Sequence, residues 1–206
     1  IHERLVGSEM CIRDSLGCHS AKHIRYLRIA VDLGLDEKHV LNDIAPEGAG
    51  IYEQLHSAMN QHDAEKWFGI QPPDLSLIAR SRGADWLYTY LKGFYVDKNK
   101  PFGVNNIVYE DVSMPNPLWQ LQGEQTPVYV THGEQKTIEK LVSSGQGTQT
   151  PEEFDRTVND LVNFLVYVGE PVQLERQQLG KYVIFFLLIF LVIAYLLKKE
   201  YWKDVH

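Results

Sequence analysis

The sequence predicts a mostly α-helical protein, made of one domain followed by a single C-terminal transmembrane helix. Residues 182–197 are apolar without a break, and lysines stand on both sides of this run. Residues 150–168 begin with Thr150, Pro151 and Glu153, which form a helix-capping sequence, and continue with apolar residues at helical spacing. The total of 206 residues is enough for one domain plus an appendage.

The apolar run is nearly long enough to cross a membrane. A helix of this length spans about 24 Å, against about 30 Å for the hydrocarbon core of a bilayer. Leu179 and Gly180 extend the run, and the flanking lysines can reach the interface. We therefore expect residues 172–206 to form a linker, an anchor at about 180–198 in the lipid bilayer, and a short tail. A buried core helix is the alternative, although such a helix is rarely apolar on every face.

Charge on the two flanks predicts the orientation of this helix. Lys198, Lys199 and Lys203 follow the span, and cytoplasmic flanks carry an excess of Lys and Arg. We expect a cytoplasmic C-terminus and, in a bacterium, a periplasmic domain at 15–171. The protein is then a single-pass protein of the bacterial inner membrane.

Composition limits the partners of the domain. The formal net charge of -7 argues against nucleic acid and suits a basic partner. The two cysteines, Cys11 and Cys18, provide no disulfide framework, and their spacing is not that of a zinc site.

A five-residue segment, Ser15-Leu16-Gly17-Cys18-His19, matches the haem-attachment sequence Cys-x-x-Cys-His except at its first position. A cysteine thiol adds to a haem vinyl group to form a thioether, and the histidine that follows ligates the iron. Serine cannot form the thioether. The segment therefore predicts one covalent anchor, Cys18, and one axial ligand, His19. A chance Cys-His pair on a surface turn is the alternative.

Residues 1–14 show neither clear periodicity nor a secretion signal. We expect a non-native or disordered extension that joins an N-terminally truncated chain where the haem motif begins. On this interpretation, Ser15 stands where the authentic sequence has Cys. An authentic serine variant is the alternative.

Glycine, proline and hydrophobic spacing divide the rest of the domain into short elements. Helices are predicted at 20–34, at 64–68 with Asp63 as cap, from 73 or 74 to 82, and at 85–91. In the first of these, Ile24, Leu27, Val31 and Leu33 form the expected apolar face. Residues 94–123 are predicted to be an irregular loop, and 124–149 a polar excursion with a strand-like piece at 128–130.

Met114 is a candidate for the second axial ligand. It is followed by Pro115, which stiffens the loop, and its thioether sulfur can ligate a haem iron. A core-filling methionine is the alternative. Arg80 or Arg82 would suit bidentate pairing with a haem propionate, and a surface arginine without a fixed partner is the alternative.

In order and spacing, these segments resemble the cytochrome c1 family in its proteobacterial form. The family provides the haem subunit of the cytochrome bc1 complex, which is ubiquinol–cytochrome c reductase. The resemblance covers roughly residues 16–206 and departs from the family at Ser15 and at the absent leader. It is carried by Cys18-His19-Ser20, Pro72-Pro73-Asp74-Leu75-Ser76 with Arg80 and Arg82, Met114-Pro115, residues 160–165, Glu170-Pro171 and the anchor.

The resemblance implies a class I cytochrome c-like haem domain with loop insertions. It implies haem c bound covalently through Cys18, with His19 and Met114 as axial ligands. Arg82 would approach a propionate, and Pro73 and Trp86 would lie near the haem edge. Cytochrome b and the Rieske iron–sulfur protein would be partners in the complex, with the Rieske protein as electron donor and cytochrome c as acceptor. No residue of this chain would be catalytic, since the activity belongs to the complex.

Two other interpretations stay open at this point. One is another membrane-anchored c-type cytochrome, in a dehydrogenase or peroxidase system. The other is a tail-anchored interaction module without haem. Two filled axial positions favour outer-sphere electron transfer, because a peroxidase needs an open iron site.

Overall fold

A computed structural model of the chain describes residues 9–132 and 135–203. The chain divides into two units, residues 1–169 and 170–206. Helices dominate, as predicted, and the first unit also contains three two-stranded antiparallel ladders. The helices are α1 Glu9–Cys18, α2 Tyr26–Leu33, α3 Glu37–His39 with a π-helical turn at Val40–Ile44, α4 Gln61–Phe68, α5 Ile78–Arg82, α6 Ala84–Lys92, α7 Trp119–Gln122, α8 Pro151–Gly169 and α9 Gln173–Tyr201. The strands are β1 Ala21–Arg25, β2 Gln54–Leu55, β3 Phe94–Val96, β4 Val104–Asn106, β5 Gln125–His132 and β6 Gln135–Ser143.

The segment before the haem motif is part of the fold. Residues 9–14 belong to α1, where Ile12 is only 1% exposed and Cys11 is also buried. Residues 9–14, which were expected to be non-native or disordered, here form a helix whose Cys11 and Ile12 pack in the core. Residues 1–8 lie outside the described residues. The origin of the segment stays a prediction.

Residues 21–25 form a strand, where a helix was predicted. Strand β1 pairs with β2, with Ala21 opposite Leu55, and a register irregularity follows. Helix α2 begins only at Tyr26 and ends at Gly34, whose φ of 64° is the left-handed conformation predicted for a helix end. Because α2 begins later than predicted, the face that it turns to the core differs from the predicted one. Val31, which was predicted to belong to the apolar face, is 69% exposed. Backbone pairing with distant segments overrode the local helical pattern.

Two predicted helix starts also shift. Helix α4 begins earlier than predicted, because Asn60 Oδ1 accepts a hydrogen bond from the Asp63 backbone N–H at 2.9 Å and is the cap. Helix α5 begins later than predicted. The Asp74 carboxylate accepts a hydrogen bond from the Ser76 backbone N–H at 2.9 Å, which holds that segment in a turn. Helix α6 and the helix-ending glycine Gly83 agree with the prediction.

The irregular loop predicted at 94–123 and the polar excursion predicted at 124–149 each contain a hairpin. Strands β3 and β4 pair with Phe94 opposite Asn106, and β5 and β6 pair along their whole length from Gln125 opposite Ser143. The Gln125 side-chain amide donates to the carbonyls of Lys92 and Phe94, each at 2.8 Å. The strand-like piece predicted at 128–130 lies within β5. The other strand positions carry many polar residues, so their alternation was too weak to predict them.

Helix α8 confirms the predicted capping box. The Thr150 backbone N–H donates to Glu153 Oε2 at 2.9 Å, and the Glu153 backbone N–H donates to Thr150 Oγ1 at 3.3 Å. The helix packs against β1, α5 and α6, and Lys92 of α6 pairs with Asp155. Its buried apolar face is formed by Phe154, Val158, Leu161, Val162, Phe164, Leu165 and Val168.

The second unit consists mainly of α9. This helix has 29 residues and a mean hydropathy of 2.5 in its most apolar window, none of which is buried. At 1.5 Å per residue it is about 43 Å long, which exceeds the thickness of a bilayer core. Residues 173–179, where a linker was predicted, already belong to the helix. An ion pair between Glu170 and Arg176 lies at its start.

Candidate haem-binding site

The ring of His19 is oriented by a residue 54 positions away. His19 lies between the end of α1 and the start of β1, and its Nδ1 lies 2.8 Å from the carbonyl oxygen of Pro73. A carbonyl can only accept, so Nδ1 carries the proton and the lone pair remains on Nε2. Histidines that ligate metals use this arrangement, in which the second ring nitrogen donates to a backbone carbonyl.

Residues 73–76 run beside residues 19–23 and bond to them repeatedly. The Leu75 backbone N–H donates to the Ser20 carbonyl at 2.7 Å. The Lys22 backbone N–H donates to Asp74 Oδ2, and that of His23 donates to Ser76 Oγ, both at 3.1 Å. We name residues 73–76 the first strap. It explains why Ser76, a polar residue, is only 1% exposed.

A second strap, residues 57–58, bonds to the haem motif as well. The Ser57 backbone N–H donates to Ser20 Oγ at 2.9 Å, and Ser57 Oγ donates to the Gly17 carbonyl at 3.0 Å. The Ala58 backbone N–H donates to the Leu16 carbonyl at 3.3 Å. Ser57 was not among the predicted site residues. A lone serine in a polar segment carries no local signal of such a contact.

Burial sets the protonation of the motif. It lowers the pKa of the His19 imidazole, against the opposing effects of the Pro73 hydrogen bond and of Asp74. The neutral ring is the form that binds a metal. Burial also raises the pKa of the Cys18 thiol, which is partly buried and unpaired. Ser15 donates its hydroxyl to the Cys11 carbonyl at 2.7 Å, so this side chain is tied to its own helix.

Met114 lies against an aromatic column on α6. The Tyr90 hydroxyl lies 3.4 Å from Met114 Sδ. The rings of Trp86 and Tyr90 stack with centroids 5.0 Å apart and planes within 10° of parallel. The Arg82 guanidinium lies over Trp86, 5.1 Å from the ring centroid. Phe94 meets the Tyr90 ring edge-on at 5.2 Å.

Tyr90 was not among the predicted site residues, although the sequence contains a signal for it. Trp86 and Tyr90 are four residues apart in the helix predicted at 85–91, and residues at that interval share one face of a helix. Burial, with a further contribution from Tyr109, raises the pKa of Tyr90 to about 12.

The six predicted site residues fall into two contact groups. His19, which follows Cys18 in the chain, contacts Pro73, whereas Arg82 and Trp86 lie in the column that reaches Met114 through Tyr90. A cleft of about 430 Å³ borders the Met114 loop at Pro115 and Pro117, and none of the six residues lines it.

The donor set of these residues fits a haem better than a bare metal ion. It consists of a neutral imidazole, a thioether and a thiol, which are the groups that bind haem iron and haem vinyl carbons in c-type cytochromes. Among the described residues, no three His, Cys, Asp or Glu side chains converge to form a metal site. These donor types, together with a helix long enough to cross a membrane, are those expected of a membrane-anchored c-type cytochrome.

Comparison with known proteins narrows this class. The model of the Cytochrome C1 family matches residues 51–205. The chain is 46% identical to cytochrome c1 of Allochromatium vinosum over 203 residues, covering 97% of this chain and 83% of that protein. It is 44% identical over 200 residues to a protein of Nitrosomonas europaea named ammonia monooxygenase gamma subunit, covering 97% and 82%. Cytochrome c1 of Rhodospirillum rubrum is 26% identical over 155 residues, covering 66% and 52%.

The chain belongs to the cytochrome c1 family, and the resemblance in its sequence is thereby confirmed. It is a haem electron-transfer subunit of the cytochrome bc1 complex, which also contains cytochrome b and the Rieske protein. Its cofactor is a c-type haem, and its C-terminal apolar helix agrees with membrane anchoring.

Proposed function

We propose that this chain holds haem c between His19 and Met114 and relays electrons from the Rieske iron–sulfur protein to cytochrome c. The observation that carries the proposal is the hydrogen bond between His19 Nδ1 and the Pro73 carbonyl. It leaves the Nε2 lone pair for iron and prevents the ring from turning. When bound, the haem supplies a one-electron couple between ferric and ferrous iron.

Four other site residues have distinct roles in this proposal. Cys18 would add its thiol across a haem vinyl group to give the single thioether, because Ser15 cannot form the second. Arg82 pairs with a propionate through its exposed guanidinium, which Trp86 supports from below. Pro73 orients His19 and lies with Trp86 near the haem edge. If His19 and Met114 both held the iron, no position would be left for a substrate, and the chain would transfer electrons without making or breaking bonds.

The proposed location follows from the charges around α9. Lys198, Lys199 and Lys203 follow the span and favour a cytoplasmic C-terminus, which would leave the haem domain in the periplasm. Helix α9 crosses the lipid bilayer. A net charge of -7 favours encounter with a basic cytochrome c, which salt would weaken.

Visible spectroscopy of the haem-loaded full chain tests the axial ligand. Ligation by methionine produces a weak far-red band in the oxidised low-spin protein. We expect Met114→Ala to abolish this band, whereas Met59→Ala is the matched control and keeps it. Met59 is also partly buried, but its backbone N–H bonds to Ser57 in the second strap. A band that survives in Met114→Ala excludes Met114 as the ligand.

Haem staining after denaturing electrophoresis tests the covalent anchor. A thioether-linked haem stays on the denatured chain, so we expect a stained band that Cys18→Ala removes. Ser15→Cys should strengthen the stain by adding a second thioether. An unstained wild-type chain from cells with haem-attachment machinery contradicts the proposed covalent anchor.

The name of the Nitrosomonas europaea relative suggests a second candidate assembly. In that assembly this chain would be a subunit of an ammonia monooxygenase. The family match and the Allochromatium vinosum relative favour the cytochrome bc1 complex. Purification of the tagged full chain from detergent-solubilised membranes separates the two. We expect cytochrome b and the Rieske protein to copurify, and their replacement by monooxygenase subunits would reverse the assignment.

A further inference from the structure

The turn between β3 and β4, residues 97–103, is ordered by its own hydrogen bonds. The Asp97 backbone N–H donates to the Gly103 carbonyl at 2.9 Å, and the Lys100 backbone N–H donates to the Asp97 carbonyl at 3.1 Å. The Asp97 carboxylate accepts from the Asn99 backbone N–H at 3.0 Å. Side chains of this turn therefore start from a defined backbone.

On one side, the turn is tied to the loop that carries Met114. The Lys100 ammonium pairs with the carboxylate of Asp111, which lies three residues before Met114. Asp111 has a φ of 60°, a left-handed conformation that is strained for residues other than glycine. Its backbone N–H donates to Oδ1 of the buried Asn105 at 3.0 Å. These contacts hold a strained backbone that sets the direction in which the chain approaches Met114.

On the other side, the turn contacts the segment that leads to the first strap. The rings of Phe102 and Phe68 lie with their centroids 5.6 Å apart and their planes tilted by 41°. Phe68 is the last residue of α4, and the first strap, which orients His19, begins at Pro73. One turn thus contacts both the loop that carries Met114 and the helix that precedes the support of His19.

We propose that the β3–β4 turn is a clasp that keeps Met114 in its position as ligand, with Lys100 and Asp111 as positioning residues. The inference rests on the proposed function, in which Met114 is an axial ligand. An added ligand can bind the iron only where Met114 has left it. Its apparent affinity therefore rises with the fraction of molecules in which the loop has moved away, and loss of the ion pair raises that fraction.

Titration of the ferric, haem-loaded full chain with imidazole tests the clasp. Imidazole takes the place of a thioether on the iron, and the far-red band then disappears. We expect Lys100→Met to increase the apparent affinity for imidazole by about twofold to fivefold, the range for an exposed ion pair. Lys98→Met removes the same charge from an exposed position of the same turn and should leave the affinity unchanged. Equal affinities in Lys100→Met and the wild type overturn the inference.

A double-mutant cycle tests the pair itself. Asp111→Asn removes the charge but keeps a residue that tolerates the left-handed backbone. We expect it to raise the affinity for imidazole as Lys100→Met does, and the double variant to show little further gain. Fully additive effects would contradict a role of the pair. Failure of the proposed function is a distinct result, since the far-red band would then survive in Met114→Ala.

Discussion

The segment that carries His19 and the segment that carries Met114 are held by different kinds of contact. Around His19, backbone groups of residues 16–23 bond to the two straps. Around Met114, asparagine side chains take this role. Asn105 Oδ1 accepts from the Asp111 backbone N–H and Asn116 Oδ1 from that of Leu118, both at 3.0 Å, and Tyr90 donates to the sulfur itself.

The difference predicts how each segment responds to mutation. The His19 segment is held in part by backbone–backbone bonds, which any residue can make. It should therefore tolerate most changes outside the four side chains that also take part, which are those of Ser20, Ser57, Asp74 and Ser76. The Met114 loop depends on individual amides and on one phenol, so single substitutions there act on the ligand directly. Single substitutions should therefore alter the position of the Met114 side chain more easily than that of His19.

Removal of Ile12 should have the largest effect on stability, because it tests whether α1 supports the His19 segment. Ile12→Ala empties a site that is 1% exposed. We expect a loss of about 3 kcal/mol in the free energy of unfolding. Val31→Ala is the control, with an expected change within about 0.5 kcal/mol at a largely exposed position. Denaturant unfolding of the full chain in detergent measures both. Equal effects would show that α1 is not part of the core.

The Asn106→Ala variant tests how firmly the segments next to Met114 are anchored. Its amide donates to the Tyr90 carbonyl, and its Oδ1 accepts from the Val108 backbone N–H at 3.0 Å. Asn106→Ala leaves both backbone groups without this partner, and we expect a loss of about 2 kcal/mol. The exposed Asn99, changed to Ala, is the control. A loss in the variant no greater than in the control would refute the anchoring role of Asn106.

Removal of Asp74 tests the first strap, with an expected loss of about 1.5 kcal/mol from two backbone hydrogen bonds. Burial works to raise the pKa of the Asp74 carboxyl, but hydrogen bonds from Ser76 and Lys22, with His23 nearby, lower it overall. A lowered folded pKa stabilises the protein above the unfolded pKa, and this contribution disappears as pH falls through the folded value.

The difference in stability between wild type and Asp74→Ala should therefore be complete near neutral pH and shrink in acid. The difference for Asn106→Ala should stay constant over the same range, because an amide does not titrate. Unfolding curves recorded from neutral pH into the acid range measure both. A constant difference for Asp74→Ala would show that the strap does not depend on the carboxylate.

Removal of the α8 cap should have the smallest effect of the four changes. Helix α8 packs against β1, which follows His19, and against α6, which carries Tyr90. Thr150→Ala removes the acceptor for the Glu153 backbone N–H. We expect a loss of about 1 kcal/mol. Thr150→Ser keeps the hydroxyl and should stay close to wild type. The far-red band should be unaffected, since the cap touches neither ligand, and a changed band would mean that α8 positions one ligand selectively.

The sequence by itself determined the features that depend on neighbouring residues. The apolar run predicted α9, because a membrane span is defined by composition over one stretch. Thr150 and Glu153 predicted the cap of α8 for the same local reason. Cys18 next to His19 and the order of the other segments indicated the family, which the comparisons confirmed.

Only the tertiary structure decided the features that join distant residues. Strand β1 replaced a predicted helix because its backbone pairs with residues some thirty and fifty positions away. The orientation of His19 depends on Pro73, and the contact of Met114 depends on Tyr90, 24 positions earlier. Local periodicity records which face of an element is apolar. It does not record which distant carbonyl or hydroxyl will meet that face, because this follows from packing of the whole chain.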